Sequence, residues 1–236
     1  GILEFRGNNL EAGATNSGSG LIQFTSGTLL LRTNNLPGLK LVGGDVYIVG
    51  PNTFQLAGAI TNLTLDGANL RGTNRIAGTL TCHAGNLDEQ LTVQPGGQLL
   101  LASPTGTQLY TLKLINQGNI IWSAGSLSVG SNPGTIISNG GNWTITGDGD
   151  INHGGGNPAY FTNYGTVHKT AGAGVSAFSG FSFLNQTSGI VEVDTGTIQL
   201  PNNYTNAAGT LWLNGGNFTT FGTFGMTGGS LIGTGT

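Results

Sequence analysis

The chain has 236 residues, enough for one or two ordinary domains, yet only 7% of them are charged and the net charge is −3, against about a quarter charged in an average soluble protein. Its seven Lys and Arg are spread from Arg6 to Lys169 without a cluster, which excludes the electrostatic footprint of a nucleic-acid or anionic-membrane binder. The single Cys82 excludes an intramolecular disulfide and a thiolate metal cluster, and no run approaches the roughly twenty apolar residues of a membrane span.

In chain order, the first element is the alternating Ile2-Leu-Glu-Phe5, followed by a Gly/Asn/Ser/Ala loop that reads as part of a partial first rung. Short alternating runs begin at Leu21, Gly27, Leu39 and Asp45, separated by turn signals such as Gly43-Gly44 and Gly50-Pro51-Asn52. Ala59–Gly67, Gly78–His83, Leu91–Val93, Gly97–Leu101 and Leu109–Ile115 continue the series. None carries the 3.6-residue period that a helix requires.

From Ile115 to Gly216 the pattern becomes regular. One phrase, an Asn, a short turn, a Gly and two apolar residues separated by one, returns with its Asn at 116, 139, 163, 185 and 206, in steps of 23, 24, 22 and 21. A period of this size marks a stacked repeat, in which one rung cannot bury its apolar face alone. Gly118, Gly141, Gly165, Gly189 and Gly209 fall where the chain bends, a role that suits their tolerance of positive φ. With rungs about 4.8 Å apart, the five Asn side chains are placed to form a ladder inside the turn.

Counting from each Gly, the second and fourth residues point inward: Ile120/Trp122, Trp143/Ile145, Val167/Lys169, Val191/Val193 and Leu211/Leu213. The residues between them, Ile121, Thr144, His168, Glu192 and Trp212, face outward. Lys169 in an inward slot means either that the alternation slips or that its ammonium reaches a rung edge or a carboxylate, because an unpaired buried charge is expensive.

Phrases such as Gly209-Thr-Leu-Trp-Leu-Asn-Gly-Gly216, Phe161–Thr170 and Met226–Gly235 resemble the Gly/Asn/Thr-rich β-helix repeats of large bacterial surface and autotransporter-type proteins. The resemblance is compositional and periodic and carries over no catalytic residue. It implies a right-handed parallel β-helix, secreted or displayed on the cell surface as an adhesin stalk, matrix fibre or passenger scaffold. The expected fold is thus an all-β solenoid of about ten rungs of roughly 20–24 residues. One domain would span 1–236, with less regular rungs over 1–114, Asn-Gly rungs over 115–216 and an incomplete last rung over 217–236. Its start without a signal peptide and its stop in mid-pattern suggest a segment of a longer chain, whose strand edges would meet adjoining segments or neighbouring copies.

Candidate chemistry is sparse, and no cofactor is expected. A β-helix can carry polysaccharide-cleaving carboxylates, and Glu192, Asp194 and His168 are the one trio where spacing and stacking agree, although a solvated surface pair is the plainer reading. Asp148, Asp150 and Asn152 begin like a calcium loop, but Gly154 arrives one place late and Ala159 stands where a closing Glu belongs. A turn held by its own Asp and Asn side chains is the plainer account. His83, His153 and His168 share no metal-binding spacing, and Cys82 reads as a small core residue. Trp212, Tyr204 and Tyr164 are candidates for stacking on the rings of a surface glycan, whereas Trp122 and Trp143 are assigned to the core. An ice-binding face would need a Thr ladder, and the equivalent outward position is not one.

Overall fold

A computed structural model describes residues 2–6, 20–31, 38–49, 59–131 and 134–235. The loop expected after Arg6 and the turn at Gly50-Pro51-Asn52 lie outside the described residues. The described strands are all paired in parallel, and each pairs with strands one turn earlier and one turn later, which makes a parallel β-solenoid. The number of turns is close to the ten expected from the period. Among the described residues no helix is long and apolar enough to cross a membrane.

Each regular turn has three faces. Ile136–Asn139 lies on the first face, Asn142–Ile145 on the second and Ile151–Gly156 on the third, and Tyr160–Asn163 then returns to the first. The second face stacks without a break from Ile2–Arg6 to Ser230–Thr234. The third face is broken at Val175–Ser179: Phe178 and Ser179 pair with the preceding rung, whereas Val175, Ser176 and Ala177 pair with the following one.

Between residues 59 and 116 four strands run for 8 to 12 residues and continue through corners, where their pairing shifts register. Thr73–Ala84 serves the first face through Thr73–Ile76 and the second through Thr79–Cys82. Asn86–Val93 passes from the third face to the first at Glu89, whose φ of 65° makes the bend in a left-handed conformation unusual for a non-glycine residue.

The core follows from the two-residue period. Leu80, Leu99, Ile120, Trp143, Val167, Val191 and Leu211 stack in register beneath the second face and are fully buried. A parallel file runs through Leu65, Cys82, Leu101, Trp122, Ile145, Lys169 and Val193. Burial pushes the Cys82 thiol up to about 11, so it behaves as a packing group and not as a nucleophile. Phe161, Phe183 and Tyr204 stack along the first face, and Trp143 of the second face and Phe224 extend the row at its two ends.

The corner from the first face to the second corrects the account of its glycines. The sequence reading gives Gly118, Gly141, Gly165, Gly189 and Gly209 a positive φ, and none has one. They are needed for space. A Cβ on Gly141 would collide with the carbonyl of Gly118, and one on Gly165 with the carbonyl of Gly141. Successive rungs approach there backbone to backbone, which only hydrogen permits. Gly78 and Gly97 meet the carbonyls of Thr61 and Ile76 in the same way, so the glycine corner also runs through the earlier rungs.

Candidate functional site

The outward file of the second face reads Ile121, Thr144, His168, Glu192, Trp212 and Ile232 in register. Parallel stacking places His168 directly beside Glu192, although 24 residues separate them. Asp194 follows two residues after Glu192, just past the strand end, and a two-residue step returns its side chain to the same side. His168 Nε2 lies 2.8 Å from Asp194 Oδ2 and 3.8 Å from Glu192 Oε2. The next rung adds a residue that the sequence reading missed. The Asn214 amide donates to Glu192 Oε1 at 3.2 Å and to Asp194 Oδ1 at 3.0 Å, which ties the two carboxylates together and leaves their other oxygens toward the imidazole. The available signal was the period itself, since 214 stands one 20-residue step after Asp194.

Lys169 neighbours this trio in sequence but points the other way, into the core. The register Ile145–Lys169–Val193 is unbroken, so the alternation does not slip. Its side chain is wholly buried, and Nζ donates to Gly147 O at 2.7 Å, Asp148 Oδ1 at 2.8 Å and Ser176 Oγ at 3.2 Å. Three acceptors match the three donors of an ammonium, which is what allows burial. The hydrogen bond from Lys169 holds the Asp148 carboxyl below the usual carboxylate range. This knot sits where the third face changes partners.

Those contacts also account for the calcium-like segment. Asp148 is bound to Lys169, Asp150 Oδ1 accepts from the Ala177 N–H at 2.9 Å, and Asn152 Oδ1 accepts from Ser179 Oγ at 2.7 Å. The three oxygens at alternate positions each lace one rung to the next.

The five asparagines line the inside of the corner. Asn116 donates to Asn139 Oδ1 at 2.7 Å, Asn139 to Asn163 at 2.7 Å, Asn163 to Asn185 at 2.8 Å and Asn185 to Asn206 at 2.8 Å. The second amide hydrogen of Asn116, Asn139 and Asn163 goes to the backbone oxygen of Asn142, Thr166 and Ile190, respectively. All five residues are fully buried.

Of the proposed glycan-stacking residues, Tyr164 and Trp212 are exposed and Tyr204 is not. Tyr204 occupies the buried position of its strand, between Phe183 and Phe224, where no sugar ring can reach it. It is removed from the candidate surface. His83 pairs with Asp66 at 3.0 Å on the surface, and His153 contacts the Asn157 carbonyl, so the three histidines serve three separate places.

Compared with known protein families, curated proteins and solved structures, the chain matches none.

Proposed function

We propose that the chain is a non-enzymatic structural or adhesive β-solenoid that works outside the cell, as a surface stalk, a matrix fibre or a filament-forming subunit. The observation that carries this reading is the direction of its bonding. Strand pairing along the second face and the buried asparagine ladder both run from rung to rung. Tension along the stack would therefore load many hydrogen bonds together. The resemblance to bacterial surface repeats supports the extracellular assignment, as does a surface poor in charge. Adjoining rungs, from the same chain or another copy, are the proposed partners, and Met226, Leu231 and Ile232 are the exposed apolar groups that they would cover.

A second reading, a carbohydrate-binding or polysaccharide-degrading β-helix, is favoured by one observation, the gathering of His168, Glu192 and Asp194 near exposed Trp212. Against cleavage, the two carboxylates converge on one imidazole and share Asn214, instead of flanking a gap that admits a glycosidic bond. Electron microscopy of the purified chain over a concentration series, with product assays on a polysaccharide panel, tests both readings. Rods that lengthen with concentration and release no product are expected. Product release that disappears in Glu192→Gln and Asp194→Asn would replace the scaffold reading with the enzymatic one.

A further inference from the structure

The geometry points to a binding site for one divalent transition-metal ion of the zinc type, made by His168 Nε2, Glu192 Oε2 and Asp194 Oδ2 on the outer side of the second face. The inference rests on this side-chain arrangement and is independent of the scaffold reading. Among the described residues this is the one place where ligand atoms from three His, Cys, Asp or Glu residues come together, all within 4.8 Å of one another.

Distance gives the first argument. In a tetrahedral shell, an ion about 2.1 Å from each of two ligand atoms separates them by about 3.4 Å. The observed 2.8 Å and 3.8 Å lie on either side of that value, within reach of a small rotation of each side chain. The second argument is the state of the imidazole nitrogen. Nε2 is shut off from solvent and makes no aligned hydrogen bond, although Asp194 Oδ2 is 2.8 Å away. A shielded ring nitrogen facing two carboxylate oxygens off the hydrogen-bond line is placed as a co-ligand. Asn214 is the third, since its bonds to the opposite oxygens fix which oxygen each carboxylate presents.

Ligand chemistry selects the class of ion. An imidazole nitrogen disfavours calcium and magnesium, which take oxygen ligands, and the absence of a thiolate or thioether from the trio disfavours copper(I). One nitrogen and two carboxylate oxygens suit Zn²⁺, with a water completing the shell on the partly exposed side.

The test is calorimetric titration of the whole chain with zinc chloride, repeated with calcium chloride, alongside His168→Ala, Glu192→Gln and Asn214→Ala, each checked for an unchanged circular dichroism spectrum. One zinc per chain is expected. Loss of a direct ligand should weaken binding by more than about 100-fold, and loss of Asn214 by about tenfold. The inference is overturned if zinc binds no tighter than millimolar, or if His168→Ala leaves the affinity unchanged. It is also overturned if calcium binds as tightly as zinc. Glu192→Gln and Asn214→Ala keep the test open should His168→Ala fail to fold.

Discussion

Two stretches of one stack turn the same corner with different inner side chains. From residue 60 to 93 the buried file at that corner is Ile60, Ile76 and Val93, and from 116 to 206 it is five asparagines in register with them. The glycines just beyond the corner are common to both stretches. Close backbone approach is therefore a requirement of the fold, whereas the amide ladder is a choice made in one stretch. Where strands such as Thr73–Ala84 run on through the corner with only a shift of register, an aliphatic side chain is enough. In the later stretch the strands stop at the corner, and amides bond the carbonyls of Asn142, Thr166 and Ile190 beyond it.

The largest expected effect comes from moving a side chain across this divide. Asn163→Ala deprives Asn139 of its acceptor and Asn185 of its donor in a dry interior, and should cost about 2–4 kcal/mol in urea unfolding. Ile76→Asn should cost about as much, since an amide there has only aliphatic neighbours in its file. Val93→Asn, beside Asn116, should cost about 1 kcal/mol or less, because it can join the ladder. Equal losses at positions 76 and 93 would show that the boundary at 116 has no energetic meaning. The chain carries its own reporters for each side: its three Trp residues lie beyond 116, and buried Cys82 lies before it. If Asn163→Ala lowers the Trp fluorescence transition without hastening thiol labelling of Cys82, the stretches open separately.

A smaller effect tests what they share. Gly165→Ala should destabilise the chain by about 1–3 kcal/mol, since the clash is with the backbone of the preceding rung and cannot be relieved by a rotamer. Gly154→Ala meets open space and should change stability by less than about 0.5 kcal/mol. A tolerated alanine at 165 would mean that the rungs can spread at the corner.

The smallest effects are pH slopes of opposite sign. The folded-state pKa of Asp148 is depressed below 3.8, so its contribution is present above that value and is lost as pH falls through the lower folded pKa. Asp88, paired with Arg71 in the earlier stretch, is raised by burial. The folded chain takes up that proton first, so stability rises as pH falls from the folded pKa toward 3.8. Urea midpoints measured from pH 7 to pH 3 should show Asp88→Asn removing the second slope and Asp148→Asn the first. Matching slopes in the two variants would contradict both assignments.

Much of this was legible in the sequence because a parallel stack turns a repeat length into a spatial neighbour. The side-by-side placement of His168 and Glu192 and the file of five asparagines needed only the period. Three features needed more. The purpose of the corner glycines depends on how closely the next rung approaches, which local turn rules do not contain. Tyr204 looks like any exposed aromatic until register places it in the file of Phe161 and Phe183. The partners of Lys169 lie 21 and 7 residues away in separate segments, at a break in the third face that leaves no periodic trace. The earlier rungs were harder to read because strands such as Thr73–Ala84 continue through corners instead of stopping at them.

The asparagine ladder also has a direction. Every amide from Asn116 to Asn185 donates toward the higher-numbered rung. Turning one amide over would set oxygen against oxygen on one side and nitrogen against nitrogen on the other. Such a fault can be healed only by turning every amide out to one terminus of the row. The five side chains thus store a single orientation in common, much as a row of dipoles stores a polarity, and the rod has an electrical head and tail built into its interior.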